Sequence, residues 1–160
     1  MLLNAGNNTI AISAPSGSYE PDIDSITVQS TTTQYLADAA QFNGKGVTIV
    51  ASPVGTDGKK LSVSQGGNYT VTFDVSVVDG GIHSVLILYL SGSPASANVK
   101  ANSSKEVAVN FPSTSGVPDN SDVVGVAHVD LDLLSGSNTI TISSIAKQTA
   151  PDLDSIIVVQ

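Results

Sequence analysis

The sequence predicts an all-β fold, an antiparallel β-sandwich of jelly-roll type. Apolar and polar residues alternate with period two along several stretches, and these stretches are rich in β-branched residues. Gly, Asn, Pro or Ser bounds them. Short strands separated by such turns at regular spacing are typical of sandwiches and jelly rolls. A module of about 130 residues is also long enough to bury a substantial hydrophobic core.

The predicted strands follow one another from residue 68 to the end of the chain. They are the segments NYTVTFDVSVV, SVLILYL, KEVAVNF, VAHVDLDLL, NTITIS and DSIIVV. In the first of them, every second residue from Tyr69 to Val77 is expected to face the core. In the fourth, Asp130 and Asp132 share the solvent face, where they keep the sheet soluble. Only QYLADAAQF, residues 34–42, has helical character.

A segment near the start of the chain is repeated at its end. With an offset of 130 positions, residues 8–28 align without a gap to residues 138–158, and 11 of the 21 aligned positions are identical. Self-similarity at a fixed offset indicates a repeated structural unit. The sequence therefore predicts a duplicated terminal β-hairpin over residues 1–29, and a β-sandwich domain over residues 30–160. The hairpin is the tail of a preceding repeat, a segment that docks on its own module and covers a sheet edge, or a connector between subunits.

The charge balance excludes several classes of partner. The chain has 14 acidic and 6 basic residues, a net charge of −8, and it contains neither Arg nor Cys. Nucleic-acid binding needs clustered cations, so no nucleic-acid partner is expected. No run of residues is long and apolar enough to cross a bilayer, so no membrane insertion is expected either. Disulfide bonds are excluded because cysteine is absent.

The motifs of the domain resemble carbohydrate-binding modules of families 6 and 35. The resemblance extends over residues 34–159 and is most specific in the L-x-x-G-x-N-T-I turn and in the closing P-D-L-D-S-I-x-V. Such modules are non-catalytic β-sandwiches, usually appended to glycoside hydrolases or strung together on extracellular proteins. The resemblance thus implies a polysaccharide-binding module of a secreted, extracellular, multi-modular protein. Residues 1–29 would then be the end of a preceding copy in a tandem repeat.

The same resemblance implies a structural Ca²⁺ between the first strand and the last. Asp38 and Asp154 match ligand positions of the family, whereas Leu36 stands where the family has a ligating Glu. Calcium takes roughly six to eight oxygen ligands, so backbone carbonyls and water would complete the site. The alternative is that both carboxylates are solvated turn residues.

For sugar binding, the resemblance implies either the loops at one end of the sandwich or a sheet face, since sandwiches of this kind use both. Tyr89 matches a family Tyr that can lie near these loops. The loop after VAVNFPSTSG carries Asp119, Asn120 and Asp122, whose oxygens can hydrogen-bond sugar hydroxyls or hold a cation. Alternatively, these residues form a plain polar turn after Pro118. The chain departs from the family because it has no Trp, the residue that usually stacks on a pyranose ring.

Catalytic motifs are missing from the sequence. There is no G-x-S-x-G elbow and no phosphate-binding loop, and neither His83 nor His128 lies in a catalytic or metal-binding pattern. The chain is therefore predicted not to be an enzyme. Two functions remain: a non-catalytic carbohydrate-binding module, or a filament subunit whose residues 1–29 complete the next chain head to tail. A calcium-dependent adhesin is a third, lower-ranked hypothesis.

Overall fold

The computed structural model describes residues 9, 11, 12, 32–64, 66–114 and 123–160. Within them the chain forms 11 strands and one short 3-10 turn, arranged in two antiparallel sheets. This confirms the predicted all-β antiparallel sandwich. Most of the duplicated segment, residues 1–29, lies outside the described residues.

The strands are named in chain order. They are β1 (Thr32–Leu36), β2 (Gln41–Gly44), β3 (Val47–Ala51), β4 (Lys59–Val63), β5 (Tyr69–Val77), β6 (Gly81–Leu90), β7 (Ala95–Ala101), β8 (Val107–Phe111), β9 (Gly125–Leu133), β10 (Gly136–Ser144) and β11 (Asp152–Val159). Sheet A has the order β3-β4-β11-β6-β9, with β1 also paired to β11. Sheet B has the order β2-β5-β10-β7-β8. The last two strands of the chain therefore occupy interior positions, one in each sheet.

The core lies between the two sheets and follows the period-two pattern. Along β5, residues alternate between buried and solvent-facing, and the odd-numbered residues from Tyr69 to Val77 are buried as predicted. β10 and β11 contribute the fully buried Ile140, Ile142 and Ile156. Each such side chain stabilises the fold by about 1.5–3 kcal/mol through removal of apolar surface from water. These central strands therefore contribute strongly to the stability of the module.

The helical character predicted for residues 34–42 is wrong beyond a single turn. β1 continues through Leu36, a three-residue 3-10 turn spans Ala37–Ala39, and β2 begins at Gln41. Pairing of β1 with β11 and of β2 with β5 outweighs the helix propensity of the alanines, which is a weak local preference. In the part of the chain that the structure describes, no helix has the length and apolarity needed to cross a membrane.

Candidate functional site

Tyr89, one of the predicted sugar-binding residues, lies in the core at one end of the sandwich. It lies near the end of β6 and is only 3% exposed. Its hydroxyl donates a hydrogen bond to the Pro112 carbonyl oxygen at 2.9 Å, and its ring packs edge-on against Phe111 with centroids 4.9 Å apart. Burial raises the pKa of the Tyr89 hydroxyl. A ring this buried cannot stack on a pyranose, and its observed contacts are with Pro112 and Phe111. The place of Tyr89 in a sugar site stays a prediction.

The segment after β8 is fixed to the turn after β6. The Thr114 amide donates to the Ser91 carbonyl oxygen at 2.8 Å, and the Ser91 amide donates to Thr114 Oγ1 at 3.0 Å. Gly125, at the start of β9, completes this base, since a Cβ there would stand 2.6 Å from both Tyr89 Cζ and Thr114 Cγ2. Glycine therefore allows β9 to approach the Tyr89 ring. β6, β8 and β9 together hold both ends of the following loop.

The predicted sugar-binding residues Asp119, Asn120 and Asp122 lie outside the described residues. The description stops at Thr114 and resumes at Val123. Thr114 belongs to the hydrogen-bonded base described above, and Val123 lies two residues before Gly125 at the start of β9, so both flanks lie at this end of the sandwich. The role of the three polar residues stays a prediction.

Asp154 joins the last strand to the loop between β3 and β4. Its carboxylate is almost fully buried. Oδ1 accepts a hydrogen bond from the Thr56 amide at 2.7 Å, and Oδ2 accepts from Thr56 Oγ1 at 2.6 Å and from Ser155 Oγ at 2.8 Å. Gln34 of β1 donates to Thr56 Oγ1 and to Ser155 Oγ. The carboxylate therefore stands at the centre of a network that joins β1, β11 and this loop.

Asp38, the other predicted calcium ligand, contacts the end of the same loop. The Lys59 ammonium lies 2.9 Å from Asp38 Oδ2 and 3.5 Å from Asp57 Oδ2. The hydrogen bond from Lys59 holds the pKa of the Asp38 carboxyl below its usual range, and the same contact raises the pKa of Lys59. The structure thus brings Asp38 and Asp154 to one loop, where each has a protein partner.

These partners are a poor fit to a calcium site. Both oxygens of Asp154 accept hydrogen bonds from hydroxyl or amide groups, and Asp38 faces the ammonium of Lys59. Within the described ranges no group of three or more His, Cys, Asp or Glu side chains could hold a metal ion. Calcium prefers a cage of oxygens, so a positive side chain beside Asp38 disfavours it. The calcium prediction stays untested. The contacts favour a protein clasp, in which Asp154 is bonded to Thr56 and Asp38 to Lys59 without a metal ion.

A Ser-His-Asp cluster on the outer face of sheet A lacks catalytic geometry. His128 Nε2 lies 3.2 Å from Ser84 Oγ and 3.0 Å from Asp130 Oδ1. A catalytic triad places Ser and Asp on opposite nitrogens of the imidazole, whereas here one nitrogen faces both. The side chains of His128 and Asp130 are also more than half exposed, so no buried carboxylate orients the ring. The cluster is a polar surface network.

Sequence reasoning missed a polar recess on sheet B. It has a volume of about 340 Å³ and is formed where β2 and β10 end and β5 begins. Asn43 and Asn68 line it together with Thr70 and Ser143. The two asparagines line one recess because β2 pairs with β5, and no local sequence pattern predicts that pairing. Their amides and the neighbouring hydroxyls are hydrogen-bonding groups suited to sugar hydroxyls.

Comparison with solved structures identifies the fold. A family 35 carbohydrate-binding module from Clostridium thermocellum superimposes with a TM-score of 0.70 over 80% of this chain and 97% of its own, at 17% identity. A family 35 module from Cellvibrio japonicus superimposes with a TM-score of 0.66 over 81% of this chain and 94% of its own, at 21% identity. This chain therefore has the fold of family 35 carbohydrate-binding modules, as the sequence motifs predicted.

A higher sequence identity is found with part of an enzyme. An exo-β-1,3-galactanase from Phanerochaete chrysosporium, solved with galactose, is 32% identical over 80% of this chain, with a TM-score of 0.69. The chain spans 29% of the length of that enzyme. No protein-family model matches the chain, and no curated protein does either.

Proposed function

We propose that this chain is a non-catalytic carbohydrate-binding module that attaches a larger protein to a polysaccharide outside the cell. The observation that supports this most directly is the shared fold, which covers 94–97% of the length of family 35 modules. The chain thus contains a whole module of this kind. The extracellular location belongs to the same proposal, since polysaccharides are mostly extracellular polymers.

A β-1,3-linked galactan is the first ligand to test. The galactanase that shares 32% identity has been solved with galactose, and a variant of it with β-1,3-galactotriose. Hydrolysis is not part of the proposal, because this chain matches only 29% of the enzyme. The carboxylates Asp130 and Asp132 on β9 are also exposed on an outer sheet face, whereas a glycosidase acid stands in a cleft beside the scissile bond.

Hydrogen bonding is the proposed means of recognition. The chain has no Trp, and Tyr89 is buried. Phe42, which is 40% exposed, lies on β2, at the edge of sheet B opposite β8. The carboxylates and amide of the 115–122 loop are therefore the groups expected to meet sugar hydroxyls.

Gel retardation on soluble polysaccharides, followed by calorimetry with β-1,3-galactotriose, tests this function. We expect retardation by galactan, no release of sugar, and at least a tenfold loss of affinity in Asp119→Ala/Asn120→Ala/Asp122→Ala. The matched control is Asp130→Ala/Asp132→Ala, which removes two carboxylates from the outer face of sheet A and should bind as wild type. Failure of every polysaccharide to retard the chain would contradict the proposal, and so would an equal loss in the control.

A filament subunit remains the second candidate because of the duplicated segment. Free apolar strands with unpaired backbone groups tend to associate with another sheet. Light scattering and negative-stain microscopy over a concentration series would test this. Length that grows with concentration favours self-association, whereas a constant monomer contradicts it.

A further inference from the structure

The repeated segment corresponds to the two closing strands of the module. At the offset of 130 positions, residues 8–13 match residues 138–143 of β10, and residues 22–29 match all of β11. β10 lies between β5 and β7 in sheet B, and β11 lies between β4 and β6 in sheet A. The N-terminal copy therefore corresponds to two interior strands, one in each sheet.

Identity between the copies is concentrated where the module buries the segment. Ten of the positions 138–158 are buried, and eight of these ten are identical in the N-terminal copy. Of the eleven other positions, three are identical. The identical buried residues are Asn138, Ile140, Ile142, Pro151, Asp154, Ser155, Ile156 and Val158. A close-packed interior tolerates little change, so this pattern indicates that both copies suit the same environment.

The polar contacts of β11 are preserved as well. Asp152 accepts a hydrogen bond from a β4 amide at 2.9 Å, and Asp154 accepts two from the loop before β4 at 2.7 and 2.6 Å. The N-terminal copy has Asp22 and Asp24 at these positions. It therefore carries both the apolar and the charged groups that the site of β11 requires.

The connection to β1 also permits the N-terminal copy to reach this site. β1 runs antiparallel to β11, and Thr32 faces Val159. The N-terminal counterpart of Val159 is Gln29. With residues 22–29 in the place of β11, Gln29 would face Thr32 across a two-residue link, a common β-hairpin connection.

We propose that residues 8–28 can occupy the β10–β11 position of this same module in place of residues 138–158. The same fold can then be completed in two ways: by the C-terminal copy, or by the N-terminal copy as a circular permutant. This exchange is independent of the proposed sugar binding. The C-terminal copy is the preferred one, because Glu20 would stand at the buried position of Ala150, where an unpaired carboxylate is costly. Because each module has only one β10–β11 position, one of the two copies is left unplaced in every chain.

Substitution in the full-length chain tests the exchange. Ile156→Asp places a carboxylate at a fully buried position, so the C-terminal copy can no longer fill it. We expect this variant to keep a cooperative thermal transition at a lower Tm, because the N-terminal copy takes over. Ile26→Asp alone should keep the wild-type Tm, and Ile26→Asp/Ile156→Asp should lose the transition. Loss of the transition in Ile156→Asp as complete as in the double variant would overturn the proposal.

Engineered thiols report directly on which copy pairs with β6, since the chain has no Cys. Leu86 faces Ile157 across the two strands, and the counterpart of Ile157 is Thr27. Leu86→Cys/Thr27→Cys in the Ile156→Asp background should oxidise to a cross-linked monomer. Leu86→Cys/Ile157→Cys in the otherwise wild-type chain is the positive control. Absence of the Thr27 cross-link would overturn the proposal, as would cross-linked dimers and ladders, which show exchange between chains.

Discussion

The Asp154 network allows a quantitative test of how the last strand is held. Asp154→Asn keeps the size of the side chain, removes its charge and turns one oxygen acceptor into an NH₂ donor. That change disrupts at least one charge-assisted hydrogen bond to Thr56, and such bonds contribute about 1.5–3 kcal/mol. We therefore expect the free energy of unfolding to fall by about 2–3 kcal/mol. For a chain of this size that lowers the Tm by roughly 4–12 °C.

Thermal melts followed by circular dichroism measure the effect. Asp24→Asn is the matched control, because it makes the same change in the N-terminal copy, and it should leave the Tm of the chain unchanged. If the N-terminal copy replaces the damaged strand, the loss in Asp154→Asn is limited, and Asp24→Asn/Asp154→Asn shows the full effect. A double variant that melts with the wild type would refute the reasoning.

The same melts, repeated in calcium and in excess chelator, decide between a protein clasp and a metal site. A clasp held by Thr56 and Lys59 gives equal Tm values for the wild type in both conditions. A Tm that falls in chelator, with the difference abolished by Asp154→Asn, would establish the predicted calcium site.

Three further predictions concern other described residues. Since Lys59 holds the pKa of Asp38 below 3.8, their contact stabilises the folded state at neutral pH and is lost as the pH falls through that lowered pKa. Lys59→Met should therefore lose less stability on acidification below about pH 4 than the wild type in acid titrations. The Tyr69 hydroxyl is buried without a hydrogen-bond partner among the described residues, so Tyr69→Phe should raise the free energy of unfolding by about 1 kcal/mol or leave it unchanged in urea melts. Gly125→Ala would force a Cβ against the Tyr89 ring and should cost about 1–3 kcal/mol, while an unchanged urea midpoint would contradict that close approach.

The strongly alternating strands β5 and β9 could be predicted from the sequence, whereas β7, which is built from small residues, could not. β5 and β9 alternate β-branched or large apolar residues with polar ones, which is the period-two signal itself. β7 alternates equally well in burial, but Ala97 and Ala101 are among its buried residues, and Ala has low strand propensity. Its assignment depends on pairing with β8 and β10, which is tertiary information.

The candidate site shows the same division. Asp38 and Asp154 could be singled out from motifs, whereas Thr56 of the β3–β4 loop and Lys59 at the start of β4 reach them through the pairing of β4 with β3 and β11. The burial of Tyr89 could have been predicted, since it lies two residues after Ile87 on the core-facing side of β6. For Tyr89, the period-two pattern of β6 indicates burial, which the match to a tyrosine of the family does not.

The two function hypotheses are compatible because they use different parts of the module. The described flanks of the candidate loop lie against β6, β8 and β9, while the duplicated strands are β10 and β11. β11 meets the loop base through Leu153, which pairs with Tyr89, and the N-terminal copy has Ile23 at that position. An exchange of copies thus changes the backing of Tyr89 only from Leu to Ile, a volume-conserving difference in a core. We therefore expect polysaccharide affinity to be the same whichever copy closes the sandwich, so that a module with a spare pair of strands can bind sugar and contact a neighbour at once.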